Sequence, residues 1–197
     1  HAAAEAAGCV IAALYERAGS GHGQHVDISA QQASTQATQS MILAHPNGDT
    51  MLKREAGGIK FGDVFLQLLW PCANGHVSIT FLFGTALGVP TGRLMEVVCE
   101  QGYCDEATRD RDWISYGEEL LTGVEPVEEY DRIKACVGKF CMAHTNAELL
   151  ELAMTHNLLI ASVNMMDDVI GLDQFVERDF WDDVEGDRFP GPMIKAS

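Results

Sequence analysis

Positive charge is scarce in this chain. Of 197 residues only 13 are Lys or Arg, against 29 Asp or Glu, giving a formal net charge of −16. Nucleic-acid backbones are held by clustered Lys and Arg, so this balance argues against a nucleic-acid partner. No apolar run approaches the roughly 20 residues that a membrane-spanning helix needs, and no cationic segment followed by an apolar one opens the sequence. The expectation is a cytoplasmic protein without membrane attachment. Six cysteines occur (Cys9, Cys72, Cys99, Cys104, Cys136 and Cys141), but none forms a Cys-x-x-Cys pair. Their irregular spacing predicts reduced, mostly buried thiols, and even the nearby Cys99 and Cys104 are read as unlinked. HExxH and GxSxG are both missing, which removes two common hydrolase signatures.

What is there suffices for a core, with 47% hydrophobic residues. Residues 2–18 are alanine-rich, with Val10, Ile11 and Leu14 on one face, and predict a helix set closely against a neighbour. Gly19, Gly21 and Gly23 predict a sharp reversal with positive φ values, followed by a short strand at Val26–Ile28. A second helix is expected from about Ala30 to Leu43, ending before His45-Pro46-Asn47-Gly48. Asp49 to Gly62 reads as a loop.

Beyond it, Val64–Cys72 and His76–Phe81 flank Ala73-Asn74-Gly75 and predict a hairpin, with Val77, Ile79 and Phe81 on the buried face. Three helices follow, around Leu94–Val98, Ile114–Leu121 and Val127–Phe140, with Pro126 suited to the first turn of the third. Thr145-Asn146-Ala147-Glu148 is a capping box that opens a fourth helix, which stops near Asn157. Leu158–Val163 predicts a strand, Met166–Ile170 and Gln174–Arg178 brief helical turns, and the Gly/Pro-rich tail after Asp187 a linker. An α+β unit with a small antiparallel sheet is expected over about residues 60–165.

Few residues here announce chemistry. Gly19-Ser20-Gly21-His22-Gly23 leads from a helix into a strand, the reverse of a dinucleotide fingerprint. His22 and His25 lie three apart on a turn and present no ligand pair, while His45, His76, His144 and His156 read as isolated surface or loop residues. The acidic stretches Glu96–Glu129 and Asp167–Asp187 read as solvated surface. No catalytic residue and no metal ligand is assigned.

The arrangement nevertheless resembles the family III coenzyme A transferases of the CaiB/BaiF type. The helix Cys9–Arg17, the glycine turn and Val26-Asp27-Ile28-Ser29 are similar to that family's A-L-x-x-R-x-x-x-G-x-G-Q-x-V-D-x-S pattern. A second block, from Ala147-Glu148-Leu149-Leu150 through Leu158–Val163 to Gln174–Arg178, resembles its helix, strand and arginine-ended turn. His22 departs from the arginine that members commonly carry.

The resemblance implies an α/β protein: part of a Rossmann-like large domain at residues 1–48, a loop or linker at 49–62, a small α+β domain at 63–165, and a linker at 166–197 returning toward the large domain. It implies an intertwined homodimer acting on an acyl-CoA and a small carboxylic acid, with coenzyme A as substrate and no covalently bound cofactor. The family's nucleophilic aspartate falls about two residues before His1, consistent with a chain that starts inside a helix and reads as a piece of a longer protein. Asp27 is expected to make only a local hydrogen bond. Gly57 and Gly58 fall where the family has a glycine loop over the active site, and Ala30 falls where it lines the CoA site. Two rival readings stay open: a 2-methylacyl-CoA racemase, and a non-catalytic dimerisation module.

Overall fold

A computed structural model describes residues 1–38, 46–48 and 55–192. The chain divides into two compact units, His1–Arg54 and Glu55–Ser197.

In the first unit, α1 (Ala2–Ser20) forms where alanine dominates, with Glu5 near its start and Arg17 in its last turn, each favourable to the helix dipole. The close packing expected of it is not found, since none of its residues is buried and Val10, Ile11 and Leu14 are all more than half exposed. Only one glycine of the turn takes a left-handed conformation. Gly21 caps the helix at φ 76° and donates its N–H to the Arg17 carbonyl at 2.8 Å, whereas Gly19 stays helical and Gly23 has no positive φ. Val26–Ile28, expected as a strand, has no pairing partner among the described residues. A strand's backbone groups need a neighbour for their hydrogen bonds, and an apolar pattern alone does not supply one. Of the second helix expected, the described residues hold α2 (Ala30–Thr35), which passes into a 3-10 turn, Gln36–Thr38. The rest of the expected helix, His45 and Asp49–Arg54 lie outside the described residues.

The second unit opens with a hairpin of β1 (Gly58–Phe61) and β2 (Val64–Gln67), Phe61 standing opposite Val64. This corrects the loop expected up to Gly62. Gly62-Asp63 between two apolar runs is itself a turn signal. The single strand expected over Val64–Cys72 breaks at Leu68, and β3 (Leu69–Cys72) belongs to a different sheet. That sheet has the order β3, β4 (Gly75–Ile79), β5 (Ile160–Ser162), antiparallel throughout, with Trp70 opposite Val77 and Ile79 opposite Ile160. Its tight turn is Ala73-Asn74, not Asn74-Gly75. The Asn74 side-chain oxygen accepts from the Asn146 N–H at 2.7 Å, and the Ala73 N–H donates to the His144 carbonyl at 2.8 Å, tying the turn to the following helix start.

The helices are α3 (Gly88–Glu100), α4 (Glu106–Arg109), α5 (Tyr116–Thr122), α6 (Val127–Met142) and α7 (Asn146–His156). Pro126 is the N-cap of α6 rather than part of its first turn. Tyr130, Ile133, Val137 and Phe140 recur every three or four residues along α6 and are wholly buried against the sheet and α3. Val77, Ile79 and Phe81 meet them from the sheet side, as the alternation predicts. Each such side chain contributes about 1.5–3 kcal/mol by leaving water.

Two short helices, α8 (Met166–Ile170) and α9 (Asp173–Glu177), precede a hairpin of β6 (Trp181–Val184) and β7 (Asp187–Pro190). The tail read as a linker therefore contains a paired strand. Glu185 and Gly186 both have positive φ, the signature of the two-residue turn that suits strand twist. No helix of the described residues is long and apolar enough to cross a membrane.

Candidate active-site elements

Gly57 and Gly58 stand at the foot of the β1–β2 hairpin. Gly57 has φ 76°, and its carbonyl accepts from the Leu68 N–H at 2.8 Å and the Leu69 N–H at 2.9 Å, at the point where β2 gives way to β3. Gly58 pairs with Gln67, and a Cβ there would collide with the Leu66 carbonyl oxygen and the Phe65 ring. Both positions thus require glycine for reasons of backbone geometry and close approach.

Ala30 is the first residue of α2 and is exposed. Its position is fixed by Ser29, whose hydroxyl accepts from the Gln32 N–H at 3.2 Å and caps the helix. Asp27, expected to bond locally, is exposed and makes no hydrogen bond among the described residues; the turn is closed instead by the Ser20 hydroxyl accepting from the His22 N–H. His22 and His25 are exposed. His144 differs from the isolated residue expected. Its Nδ1 lies 2.8 Å from the Phe140 carbonyl, and its ring packs 4.8 Å from the Phe140 ring.

Two features escaped sequence reasoning. The first is an ion network inside a stretch read as solvated acid. Arg111 donates from its two Nη atoms to Glu125 and Glu129, each at 2.6 Å, and Arg132 donates to both oxygens of Glu129 at 2.8 Å and to Thr108 Oγ1 at 2.7 Å. The hydrogen bonds from Arg132, with the charges of Arg132 and Arg111, hold the Glu129 carboxyl below its usual range. Partners 14 and 18 residues apart leave no local signal.

The second is an aromatic cluster. Phe81 contacts the rings of Trp70, Phe83, Trp113 and Tyr130, and Phe83 lies 5.0 Å from Tyr116. Burial pushes the Tyr116 and Tyr130 hydroxyls above the usual phenol range. Beside this cluster an open groove of about 540 Å³ is bounded by Gly88, Gly92, Arg93 and Arg109–Ile114. Its cations are largely committed: Arg109 pairs with Asp110, Arg111 with two glutamates, and Arg93 donates to the Asn157 carbonyl. The groove has little free positive charge for a phosphate. Among the described residues no group of three metal-binding side chains comes together.

A helical unit with a capped glycine turn, followed by an α+β unit with a three-stranded antiparallel sheet, is the architecture to be placed. The profile of CoA-transferase family III matches residues 1–196, and the chain belongs to that family. The structure is similar to a CaiB/BaiF family protein from Brucella suis, with TM-score 0.65 and 17% identity over 96% of this chain and 46% of that one. It is also similar to Rv3272 from Mycobacterium tuberculosis, with TM-score 0.62 and 14% identity over 95% and 44%. The chain therefore spans under half the length of these structures and shares their α/β fold. No curated protein matches it.

Proposed function

We propose that the protein carrying this chain moves coenzyme A from an acyl-CoA thioester to a free carboxylic acid. The observation that carries the reading is the family match across residues 1–196. In this reaction an aspartate carboxylate attacks the thioester carbonyl, the CoA thiolate leaves, and a mixed anhydride forms. The thiolate then attacks the aspartyl carbonyl, releasing the donor acid and leaving an aspartyl-CoA thioester. The acceptor acid attacks that thioester to form a second anhydride, and CoA takes up the new acyl group. Each step exchanges one acyl bond for another, so no redox partner is needed. Every addition develops an oxyanion, which fixed backbone N–H donors stabilise with little reorganisation.

In this reading Gly57 and Gly58 belong to the glycine loop near the reacting acyl group, Ala30 lines the CoA site, and no residue of this chain is the nucleophile. The protein acts as an intertwined homodimer in the cytoplasm. Support for association comes from α1, which leaves Val10, Ile11, Leu14 and Tyr15 exposed, an apolar face that calls for a partner surface.

The test uses the chain in its native coding context, incubated with an acyl-CoA and a labelled acceptor acid in deuterated water. Label entering the CoA thioester pool, without deuterium at the acyl α-carbon, is the expected result. Deuterium at the α-carbon without label transfer would establish the racemase reading, and binding with neither change would establish a non-catalytic module.

A further inference from the structure

While α6 buries one face in the core, a second face borders the edge strand β3. Along that side Asp131, Ala135, Gly138 and Met142 recur at helical spacing and, with Trp70 and Pro71 of β3, line an open groove of about 560 Å³. Small residues keep it open. A Cβ added at Gly138 would reach Trp70 Cζ3 only at 4.0 Å, an ordinary contact, and Ala135 is exposed. Strand addition cannot cover this side of β3, because Pro71 has no N–H and the Leu69 N–H is already given to the Gly57 carbonyl at 2.9 Å. Two cations also line the groove. Lys134 has only 13% of its side chain exposed, and its ammonium donates to Asp131 Oδ1 at 2.7 Å and to the Phe65 carbonyl at 3.3 Å, 4.6 Å from the centre of the Tyr130 ring. Its charge is answered within the protein. Lys139 is exposed, and its ammonium makes no ion pair or hydrogen bond among the described residues. Two lysines against one aspartate leave the groove net positive in a chain of formal charge −16.

We propose that this groove binds a medium-chain carboxylate such as octanoate, with its hydrocarbon against Trp70, Pro71 and Met142 and its carboxylate on the Lys139 ammonium. Its volume falls within the range of about 300–1,000 Å³ typical of small-molecule sites, which combine apolar walls with a few polar groups. The charge selects the guest. A cation would meet two lysines, a phosphate would call for more than the one uncommitted ammonium, and a neutral hydrocarbon would leave Lys139 unused. A single carboxylate on an apolar tail matches both the charge and the walls. Affinity should therefore rise with chain length, by up to about fourfold for each methylene taken out of water. The inference rests on the groove alone and does not depend on the transferase reading.

The test is calorimetric titration of the protein in its native coding context with hexanoate, octanoate and octanol. Saturable binding is expected, tighter for octanoate than for either of the others. Lys139→Glu should weaken octanoate roughly fivefold to tenfold and leave octanol unchanged, while Lys139→Arg should bind octanoate as the parent does. Ala135→Leu, which fills the groove from an exposed helix position, should weaken octanoate and octanol alike. A photoactivatable diazirine analogue of octanoate locates the site: trypsin leaves Trp70 and Pro71 on peptide 61–93, and Ala135, Gly138 and Lys139 on 135–139. Label on either peptide is expected. No saturable octanoate binding, parent-like binding by Lys139→Glu, or label confined to other peptides would each overturn the proposal.

Discussion

Adjacent glycines 57 and 58 are held for different physical reasons, and substitution separates them. Gly58→Ala drives a methyl into the Leu66 carbonyl and the Phe65 ring and should cost about 2–3 kcal/mol. Gly57→Ala meets Leu69 Cβ at 3.4 Å, an ordinary contact, and chiefly strains the positive φ, costing roughly 1–2 kcal/mol. Urea midpoints of the two variants should fall in that order, and an unchanged midpoint for Gly58→Ala would contradict the packing described. A third residue makes stability depend on pH. The Glu129 carboxyl is lowered in the fold by Arg132 and Arg111, so its ionised form stabilises above the ordinary value of about 4.3, and that contribution is lost as pH falls through the folded value. Asp105, which accepts from the Thr108 N–H, follows the same sign. Urea midpoints measured from about pH 6 to about pH 3 should decline less steeply in Glu129→Gln than in the parent.

Elements differ in how much of themselves they write into the sequence. The α7 capping box is local and was legible: Thr145 Oγ1 accepts from the Glu148 N–H at 3.3 Å, and the Glu148 carboxylate accepts from the Thr145 N–H at 2.8 Å. Thr145→Ala should therefore cost about 1 kcal/mol, read from the urea midpoint, and should speed hydrogen exchange in the first turn of α7. The alternation Val77, Ile79, Phe81 was equally plain because strand periodicity is short. Where a partner had to be supplied from a distance, local reading failed. Val26–Ile28 carries a strand's apolar character without a pairing neighbour, while Gly58–Phe61 was passed over although a Gly-Asp turn follows it. The Arg111, Glu125, Glu129 and Arg132 network is tertiary, and its acids looked like surface until the fold joined them. Gly57, Gly58 and Ala30 were reached through family resemblance, since a glycine pair and a helix-opening alanine have no chemistry of their own to announce.

At the scale of the molecule, one aromatic cluster organises the unit Glu55–Ser197. Phe81 is fully buried between Trp70, Phe83, Trp113 and Tyr130, so Phe81→Ala should cost about 3–5 kcal/mol and reduce the near-ultraviolet circular dichroism of the ordered rings. The apolar face of α1 has no comparable cover among the described residues. The proposed chemistry makes a demand on oxygen atoms that is independent of which acyl group is carried. An acceptor acid labelled with oxygen-18 in both carboxylate positions keeps one label in the new thioester and leaves the other on the enzyme carboxylate. Either oxygen of that carboxylate can attack the next donor thioester, so over successive turnovers the released donor acid comes to carry the label. The most direct measurement is thus the mass of the released donor acid after multiple turnovers of the protein in its native coding context. Donor acid enriched in one oxygen-18 is the predicted result. Donor acid carrying only solvent oxygen, or none released at all, would contradict transfer through an enzyme carboxylate.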